Sequence, residues 1–536
     1  MNTIGYDFKD SWLSLHGLSF ALRLATMENV YAPDSALLSV SQEADRVSYA
    51  ASGLQWAGGQ KRAEGDMTLT VAYDGRGTFS VTGSAAHQTQ RGKSLVLLVR
   101  GLGLQTLIGD SENMPASEVS EFRHSHAFSW PGRTATMPLI FMNCGDAPEA
   151  FALSRDTKVR QKVFAAHYDH ILKEPVLVLS HGEDARVHAK RLELPLWEVG
   201  SGVPRHTVVA RRFSDLETHF GMKPFEKHPE RQWVSDLKAV VNLHGVHWTG
   251  HVYMTYAQQA EALQKVCEII PGKHVLAFLP AWEGPYYRQA PEMSASEELG
   301  GDEGLKALVK TAHDLGAHII PMLDGPNLVD DAFLRKNDML DARMKTADGD
   351  PKIQNWIDWN SDLFYEKIGW IANFGHPGFN RKMVEISSQL IDTYGFDGVF
   401  LDGAIRWENT PDYSPYEGMK AWARALHEKH PNALLMGEDG YDLLWNEFGL
   451  FATFMQPLGL QNAMLRYTRQ SWYLAYPAPG GSGGIHEQAW YSPTADGKMK
   501  EYIIPTVSFV GDTLDKHWDE AKEQLLEASR WQLKTP

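Results

Sequence analysis

The sequence predicts an α/β protein of two domains, an antiparallel β-sandwich over residues 1–230 and a (β/α)8 TIM barrel over residues 231–536. Two observations lead to this prediction. Short strands separated by turn residues fill the first part of the chain, which is typical of a sandwich. Apolar strands then alternate with amphipathic helices, which is the pattern of a parallel barrel. The length of 536 residues also suits more than one domain.

The N-terminal region contains a hairpin signal. Met67–Tyr73 and Thr78–Thr82 are β-prone segments joined by the turn sequence DGRG. Turn residues also separate the other predicted strands, which are Ser94–Val99, Pro138–Met142, Pro175–Ser180 and His206–Arg212. Long helical periodicity is scarce in this region, so an antiparallel sandwich is the simplest prediction.

Eight strand units are predicted in the second region. The predicted strands are Ala239–Leu243, His274–Leu279, His318–Leu323, Gly398–Leu401, Ala433–Gly437, Leu450–Met455, Trp472–Tyr476 and Ile503–Val510. The predicted amphipathic helices are Tyr256–Ile270, Gly304–Leu315, Arg381–Tyr394, Tyr416–His430 and Asp515–Trp531. The helices of the sixth and seventh units are short or unclear in the pattern. Eight such units in about 300 residues match a closed barrel.

The net charge of the chain argues against some classes of binding partner. The chain carries 51 Lys and Arg against 67 Asp and Glu, a formal net charge of −16. This excess of acid argues against nucleic acid and against anionic membranes as partners. The sequence contains only two cysteines, Cys144 and Cys267, and no leader-like or membrane-spanning apolar run. We therefore expect a cytoplasmic protein, and we expect it to use no cofactor and no metal.

The candidate functional residues follow the predicted strands, because barrel active sites form at the C-terminal ends of the strands. Carboxylates recur at these positions, with His, Trp, Arg and Gln side chains among them. The predicted substrate-binding residues are His244, His247, Trp282, Glu283, Asp324, Arg406, Trp407, Gln456, His486 and Asp512.

Two motifs carry the predicted catalytic groups. In GFDGVFLDG, Asp402 is the first polar residue after a buried strand, whereas Asp397 precedes the strand and is expected at the opposite rim in a turn or capping role. In LLMGEDG, Glu438 emerges one strand later, and Asp439 is expected to face away or to support a neighbour. Two carboxylates on adjacent strand ends suit glycosidic bond cleavage, in which one protonates the leaving oxygen and the other attacks or activates water.

The two motifs resemble the nucleophile and acid/base strands of barrel glycoside hydrolases. The α-retaining families place an Asp after strand four and a Glu after strand five, and they include the α-amylase-type enzymes, the dextranases and the endo-α-N-acetylgalactosaminidases. The last group also carries a sandwich before its barrel. The resemblance implies Asp402 as nucleophile, Glu438 as acid/base, Asp324 or Asp512 as ligands of sugar hydroxyls, and an α-linked carbohydrate substrate. Phe400 stands where the amylase pattern has an arginine, so the amylase likeness is incomplete.

Several alternatives remain open from the sequence. An inverting glycosidase would use the same two carboxylates with a wider separation. A metal-dependent barrel hydrolase would use His244, His247 and His251, although barrel amidohydrolases have a His-x-His spacing that NLHGVHWTGH lacks. A carbohydrate-binding protein with an inactive barrel is a further possibility.

Other motifs give weaker signals. GGSGG at Gly480–Gly484 formally fits a nucleophile elbow, but no helix pattern follows it, so a loop over the cleft that carries His486 is favoured. NWIDWN at Asn355–Asn360 is either part of the substrate wall or loop packing. Asn373, His376 and Asn380 precede the predicted helix that leads to the fourth strand and are expected to be structural.

Overall fold

The chain forms two compact units, which are described here separately. The computed structural model describes residues 11–109, 113–116, 128–132, 134–169, 173–183, 189–246, 250–285, 291–326, 329–357, 365–453, 461–472 and 501–533. The first unit comprises residues 1–222, 409–411 and 456–460, and the second comprises residues 223–408, 412–455 and 461–536.

The first unit contains two nine-stranded antiparallel sheets. Its strands are β1 (Leu13–Leu15), β2 (Leu18–Thr26), β3 (Val30–Pro33), β4 (Leu38–Glu43), β5 (Arg46–Ala51), β6 (Leu54–Trp56), β7 (Lys61–Ala63), β8 (Gly65–Tyr73), β9 (Thr78–His87), β10 (Gly92–Arg100), β11 (Thr106–Ile108), β12 (Asn113–Pro115), β13 (Phe128–Trp130), β14 (Leu139–Cys144), β15 (Ala147–Ser154), β16 (Lys162–Asp169), β17 (Glu174–Gly182) and β18 (Arg191–Ser201).

These two sheets form the predicted sandwich. One has the order β13-β16-β17-β10-β2-β3-β6-β7 with β1 beside β2, and the other has the order β12-β11-β14-β15-β18-β9-β8-β5-β4. Aromatic rings from opposite sheets meet in the core, as in the edge-to-face pair of Phe164 and Trp197 with centroids 5.6 Å apart. The predicted hairpin is confirmed, because β8 and β9 pair from Gly65–His87 to Tyr73–Phe79.

The predicted strand at His206–Arg212 is wrong, because this segment lies in helix α1 (Arg205–Thr218). The β-branched run TVV at residues 207–209 suggested a strand. The buried positions Val208, Arg212 and Asp215, however, follow the spacing of a helix. Pro204, directly before the helix, also suits a helix start. The salt bridge from Arg155 Nε to Asp215, 2.5 Å long, ties the helix to the chain that follows β15.

The second unit contains the predicted eight-stranded parallel barrel. Its barrel strands, first to eighth, are β19 (Ala239–Leu243), β20 (Val275–Leu279), β21 (His318–Leu323), β24 (Gly398–Leu401), β25 (Leu434–Glu438), β26 (Leu450–Thr453), β27 (Arg469–Trp472) and β28 (Thr506–Phe509). A separate hairpin pairs β22 (Ile353–Ile357) with β23 (Tyr365–Trp370). The first and eighth strands pair directly, and a parallel bridge between Ser471 and Ile504 closes the seventh against the eighth. The barrel is therefore confirmed.

The strand registers give the shear of the barrel, the offset along one strand after a full circuit. The pairings can be followed from strand to strand once around the barrel. The row that starts at position 246, just beyond the end of β19, returns to the same strand at position 238, just before its start. Between these ends it runs through Trp282, Asp324, Asp402, Glu438, Ala452, Ser471 and Ile504. The difference of eight residues is the shear of a TIM barrel.

The remaining helices surround or follow the barrel strands. They are α2 (Tyr256–Cys267), α3 (Gly301–Asp314), α4 (Asp331–Lys336), α5 (Pro377–Tyr394), α6 (Pro415–Lys429), α7 (Thr513–Lys516) and α8 (Trp518–Ala528). The single C-terminal helix of the prediction is thus two helices in the structure. The seventh strand also begins at Arg469, three residues earlier than the predicted start at Trp472.

The barrel interior is apolar below its C-terminal ends. Its buried cluster includes Val240, Leu276, Phe278, Ile320, Met322, Phe400, Leu434, Met436, Leu450, Ala452 and Ile504. Phe225, Val234 and Leu237 join the same cluster from the segment that leads into the first strand, and they close the N-terminal end. None of the described helices has the length and hydrophobicity of a bilayer-spanning segment.

We predict that Gly418→Ala destabilises the barrel unit, although alanine normally favours a helix interior. A Cβ atom at Gly418, in α6, would lie 2.2 Å from both the backbone nitrogen of Gly375 and the carbonyl group of Phe374. We expect the free energy of unfolding to fall by about 1–3 kcal/mol, the range for overpacking, in a urea titration.

The matched control is Gly304→Ala in α3, where the nearest atom to the new Cβ is a ring carbon of Tyr256 at 3.1 Å. A side chain shifts more easily than backbone, so this variant should stay within about 1 kcal/mol of the parent. Equal destabilisation by the two substitutions would contradict the proposed close approach at Gly418.

Candidate active site

The side chains that face the barrel interior change from apolar to polar at the C-terminal ends of the strands. Val240, Met322, Phe400 and Met436 all belong to the buried interior cluster. Because side chains on a strand alternate between faces, the residues two positions later face the same way. These are Asn242, Asp324, Asp402 and Glu438.

Asp402 lies directly after β24, whose four residues are all buried. Asp402 is only 5% exposed. The backbone N–H of Asp402 donates to the carbonyl of Leu323 at 3.0 Å, which continues the pairing with β21 beyond the end of the strand. The carboxylate is therefore held at the barrel mouth by ordered backbone, as the sequence predicted.

Glu438 ends β25 and reaches toward the residue after Asp402. Its Oε2 accepts a hydrogen bond of 2.9 Å from the backbone N–H of Gly403. The register pairs Leu401 with Gly437, so the next positions along the two strands are Asp402 and Glu438. Adjacent parallel strands lie about 4.8 Å apart. The two predicted catalytic carboxylates are thus neighbours at one end of the barrel.

Three further predicted residues are buried near these strand ends. Glu283 and Asp324 are each 1% exposed and follow β20 and β21. His244 follows β19, is fully buried, and packs edge-to-face with Tyr253 at a centroid distance of 6.1 Å.

Arg406 and Trp407 lie on the segment after the fourth strand and are partly exposed. Arg406 donates from Nη2 to Gln354 at 2.7 Å, and its Nη1 lies 3.5 Å from Glu408. Lys352 also contacts Glu408 at 3.0 Å. These contacts connect the segment to the β22–β23 hairpin, so Arg406 supports the segment as well as being a candidate ligand.

Asp512 is partly exposed and precedes α7, where its carbonyl accepts from the backbone N–H of Lys516 at 2.9 Å. The predicted ligands His247, Gln456 and His486 lie outside the described residues. The GGSGG segment also lies outside them, as do residues 358–360 of the NWIDWN motif.

The expectation that Trp282 binds substrate needs correction. Trp282 is fully buried, and its indole N–H donates to the carbonyl of Met322 at 2.8 Å. Its ring packs edge-to-face with Tyr394 and Phe396 at 6.1 Å. Tyr256 donates its O–H to the Trp282 carbonyl at 2.7 Å, and burial raises the pKa of that hydroxyl. Trp282 therefore fixes the barrel wall and offers no open face to a sugar.

The structural roles predicted for the motif residues are observed. Asp397 accepts from the backbone N–H of Ile319 at 2.8 Å, at the N-terminal end of the strands. His376 caps α5 by accepting from the N–H of Phe379 at 3.1 Å. Asn373 and Asn380 donate to backbone carbonyls, at 3.1 Å to Tyr413 and at 2.7 Å to Gly418.

Sequence reasoning missed Ser508 as a residue of the barrel mouth. Ser508 is fully buried on β28 and pairs in register with Asn242, so the two side chains face the interior together. The sequence pattern that could have identified Ser508 is the alternation of polar Thr506 and Ser508 with apolar Val507 and Phe509, which places the two kinds of residue on opposite faces of the strand.

Within the described residues, no group of three or more His, Cys, Asp or Glu side chains is arranged to hold a metal ion.

No protein-family model and no curated protein sequence matches the chain. Solved structures do match. A ligand-free α-N-acetylgalactosaminidase from Bifidobacterium bifidum superposes with a TM-score of 0.63 at 12% identity, over 97% of this chain and 93% of the other. Its complex with GalNAc gives a TM-score of 0.59 at 13% identity, over 84% and 80%.

A GH36 α-galactosidase variant from Geobacillus stearothermophilus, in complex with 1-deoxygalactonojirimycin, also matches. Its TM-score is 0.52 at 11% identity, over 96% of this chain and 76% of the other. At these identities the likeness establishes a shared fold. The predicted resemblance to barrel glycosidases that carry a β-sandwich domain is thus confirmed at the level of the fold.

We predict that Trp282→Phe lowers stability, because it leaves the buried carbonyl of Met322 without its indole donor and opens space in the wall. We expect the free energy of unfolding to fall by about 2–4 kcal/mol in urea titrations. Trp407→Phe, at a partly exposed position, should change it by less than about 1 kcal/mol. If Trp282→Phe left stability unchanged, the packing role assigned to this residue would be wrong.

Proposed function

We propose that the protein is a glycoside hydrolase that cleaves α-linked sugars with retention of configuration, with Asp402 as nucleophile and Glu438 as general acid/base. One observation carries the proposal. The Glu438 carboxylate accepts a hydrogen bond from Gly403, the residue after Asp402, at the C-terminal end of a parallel barrel. This brings two acids from adjacent strands to the position where barrel enzymes carry their active sites.

The arrangement suits a double displacement. In the first step, Asp402 attacks the anomeric carbon and forms an ester with it, while Glu438 gives a proton to the departing glycosidic oxygen. In the second step, Glu438 takes a proton from water, and the water oxygen replaces Asp402 at the same carbon. Oε2 of Glu438 is oriented by Gly403, and we assign the proton transfer to Oε1.

The strand register supports retention over inversion. Side chains at paired positions of neighbouring parallel strands start about 4.8 Å apart. Retaining glycosidases hold their two carboxyl groups ~5–5.5 Å apart and inverting ones ~6.5–9.5 Å apart, to fit a water molecule, so side chains that start from adjacent backbone positions favour retention. Asp402 and Glu438 continue such a pair, that of Leu401 with Gly437.

The proposed substrates are α-galactosides and N-acetyl-α-galactosaminides. The solved structures that share the fold include an α-N-acetylgalactosaminidase and an α-galactosidase. The buried side chains of His244, Glu283 and Asp324 would hold sugar hydroxyls beside the reacting centre. Phe400, two residues before the proposed nucleophile, lies in the apolar interior. This position is occupied by an arginine in the amylase pattern, so the site differs from an amylase site beneath the nucleophile.

We predict that Asp402→Asn lowers kcat/KM on p-nitrophenyl α-galactoside or N-acetyl-α-galactosaminide by roughly four orders of magnitude, because an amide is a poor nucleophile. The matched control is Asp397→Asn, the same substitution at the other end of the same strand, which should retain nearly all activity. Circular dichroism checks that both variants fold. A wild-type rate in Asp402→Asn would remove this residue from the mechanism.

Glu438→Gln should show the pattern of a lost acid/base. Turnover of a poorly activated substrate should fall by roughly 10²–10⁴-fold. A dinitrophenyl glycoside, whose leaving group needs no proton, should still form the glycosyl-enzyme, and added azide should release it as the α-glycosyl azide. Equal losses on both substrates without azide rescue would assign Glu438 a different role.

The stereochemistry of the product tests the mechanism independently. We expect proton NMR to detect the α-anomer of the free sugar first, before mutarotation. Initial release of the β-anomer would favour the inverting alternative, in which one carboxylate activates water directly.

A further inference from the structure

Two buried polar side chains lie on the first and eighth barrel strands, away from the carboxylates. Asn242 on β19 is 1% exposed and Ser508 on β28 is fully buried. Among the described residues, Asn242 Oδ1 and Ser508 Oγ have no hydrogen-bond partner. The two residues form a register pair, so both side chains leave the sheet on the same face.

That face is the barrel interior. Val240 precedes Asn242 by two positions and belongs to the interior cluster, as does Ile504, four positions before Ser508. Alternation along each strand therefore directs Asn242 and Ser508 inward. They are the inward-facing residues next to the C-terminal ends of their strands, where the apolar interior ends.

The shear of the barrel fixes their height relative to the catalytic pair. With a shear of eight over eight strands, each step along a row of paired residues goes down by one residue position relative to the barrel axis. The residue at equal height on the next strand is therefore one position beyond the paired residue, and the correction is four positions over four strands. Four strands from Asp402, the row reaches Ile504, so the residue level with Asp402 is Ser508. Four strands from Glu438 in the other direction, the row reaches position 246, so the level residue is Asn242.

Strands four apart in an eight-stranded barrel lie on opposite sides of its axis. Ser508 therefore stands across the mouth from Asp402, and Asn242 stands across from Glu438. Both side chains are short and uncharged, and together they present an amide oxygen that accepts and a hydroxyl that donates or accepts. A sugar hydroxyl has the same dual capacity, so it can donate to Asn242 Oδ1 and accept from Ser508 Oγ.

We propose that Asn242 and Ser508 bind one hydroxyl group of the sugar ring, on the side of the ring remote from the scissile bond, an inference that rests on the proposed function. Burying polar atoms without partners is costly for the fold alone. A site built to pair with a hydroxyl rejects an analogue that lacks it, because these atoms then stay unpaired. The pair would thereby select the sugar.

The test uses Asn242→Leu and Ser508→Ala with p-nitrophenyl α-D-galactopyranoside and its four monodeoxy analogues. We expect each variant to lose roughly 10- to 100-fold in kcat/KM on the parent substrate. On the one analogue that lacks the bound hydroxyl, wild type and variants should be similar. Melting temperatures should stay the same or rise, because each substitution removes a buried polar atom that has no described partner.

The matched control is Gln470→Leu. Gln470 is also buried and has no hydrogen-bond partner for its side-chain amide among the described residues. However, its neighbours Arg469 and Ser471 pair with the inward residues Leu450 and Ala452, so Gln470 faces away from the mouth. This variant should keep the wild-type kcat/KM on every substrate.

Two results would overturn the inference while leaving the proposed function intact. The first is a wild-type kcat/KM in both Asn242→Leu and Ser508→Ala. The second is an equal loss of kcat/KM on the parent substrate and all four analogues, together with a lowered melting temperature. Isothermal titration with galactose gives a readout that does not need turnover, and weaker binding by Ser508→Ala than by Gln470→Leu would support the inference. A wild-type protein that hydrolyses neither the α-galactoside nor the N-acetyl-α-galactosaminide, and that binds neither galactose nor N-acetylgalactosamine, would overturn both proposals.

Discussion

Closure of the parallel sheet is the constraint on which the candidate site depends. The closing contact is the bridge between Ser471 and Ile504, together with the pairing of β28 with β19. Once the sheet closes with a shear of eight, every inward position has a fixed height and a fixed partner across the axis. Asp402 and Glu438, 36 positions apart in the chain, are neighbours through the direct pairing of β24 with β25, and closure determines which residues stand opposite them across the axis.

The apolar interior keeps the carboxylates at the mouth. Phe400 and Met436, two positions below Asp402 and Glu438, belong to the close-packed apolar cluster that forms a floor beneath the carboxylates. The N-terminal end is closed by Phe225, with the guanidinium of Arg469 stacked on its ring at 3.7 Å. A low-dielectric floor would strengthen the interactions of the two acids with the proposed sugar substrate.

The sequence predicted the barrel and the carboxylates of strands four and five because each follows an uninterrupted buried strand. It could not give the orientation of Trp282, since a residue beyond a strand end turns with its loop, and only the contact with Met322 reveals it. The segment His206–Arg212 was misread because three β-branched or apolar residues in a row fit either period. Ser508 was overlooked because a serine in an apolar strand looks like a tolerated core residue.

The layering of the barrel also bears on how a ligand would lie. In such barrels alternate strands contribute side chains to alternate layers. Asp402 and Ser508 share the layer of the even strands, whereas Glu438 and Asn242 share the layer of the odd strands just below. A sugar ring that spans the barrel mouth would contact one residue of each layer on both sides of the axis. The sheet fixes the heights of these residues, so it would also fix the tilt of the ring. The loops after the strands would then determine which groups can be attached to the ring, while the side chains on the sheet would select the ring itself.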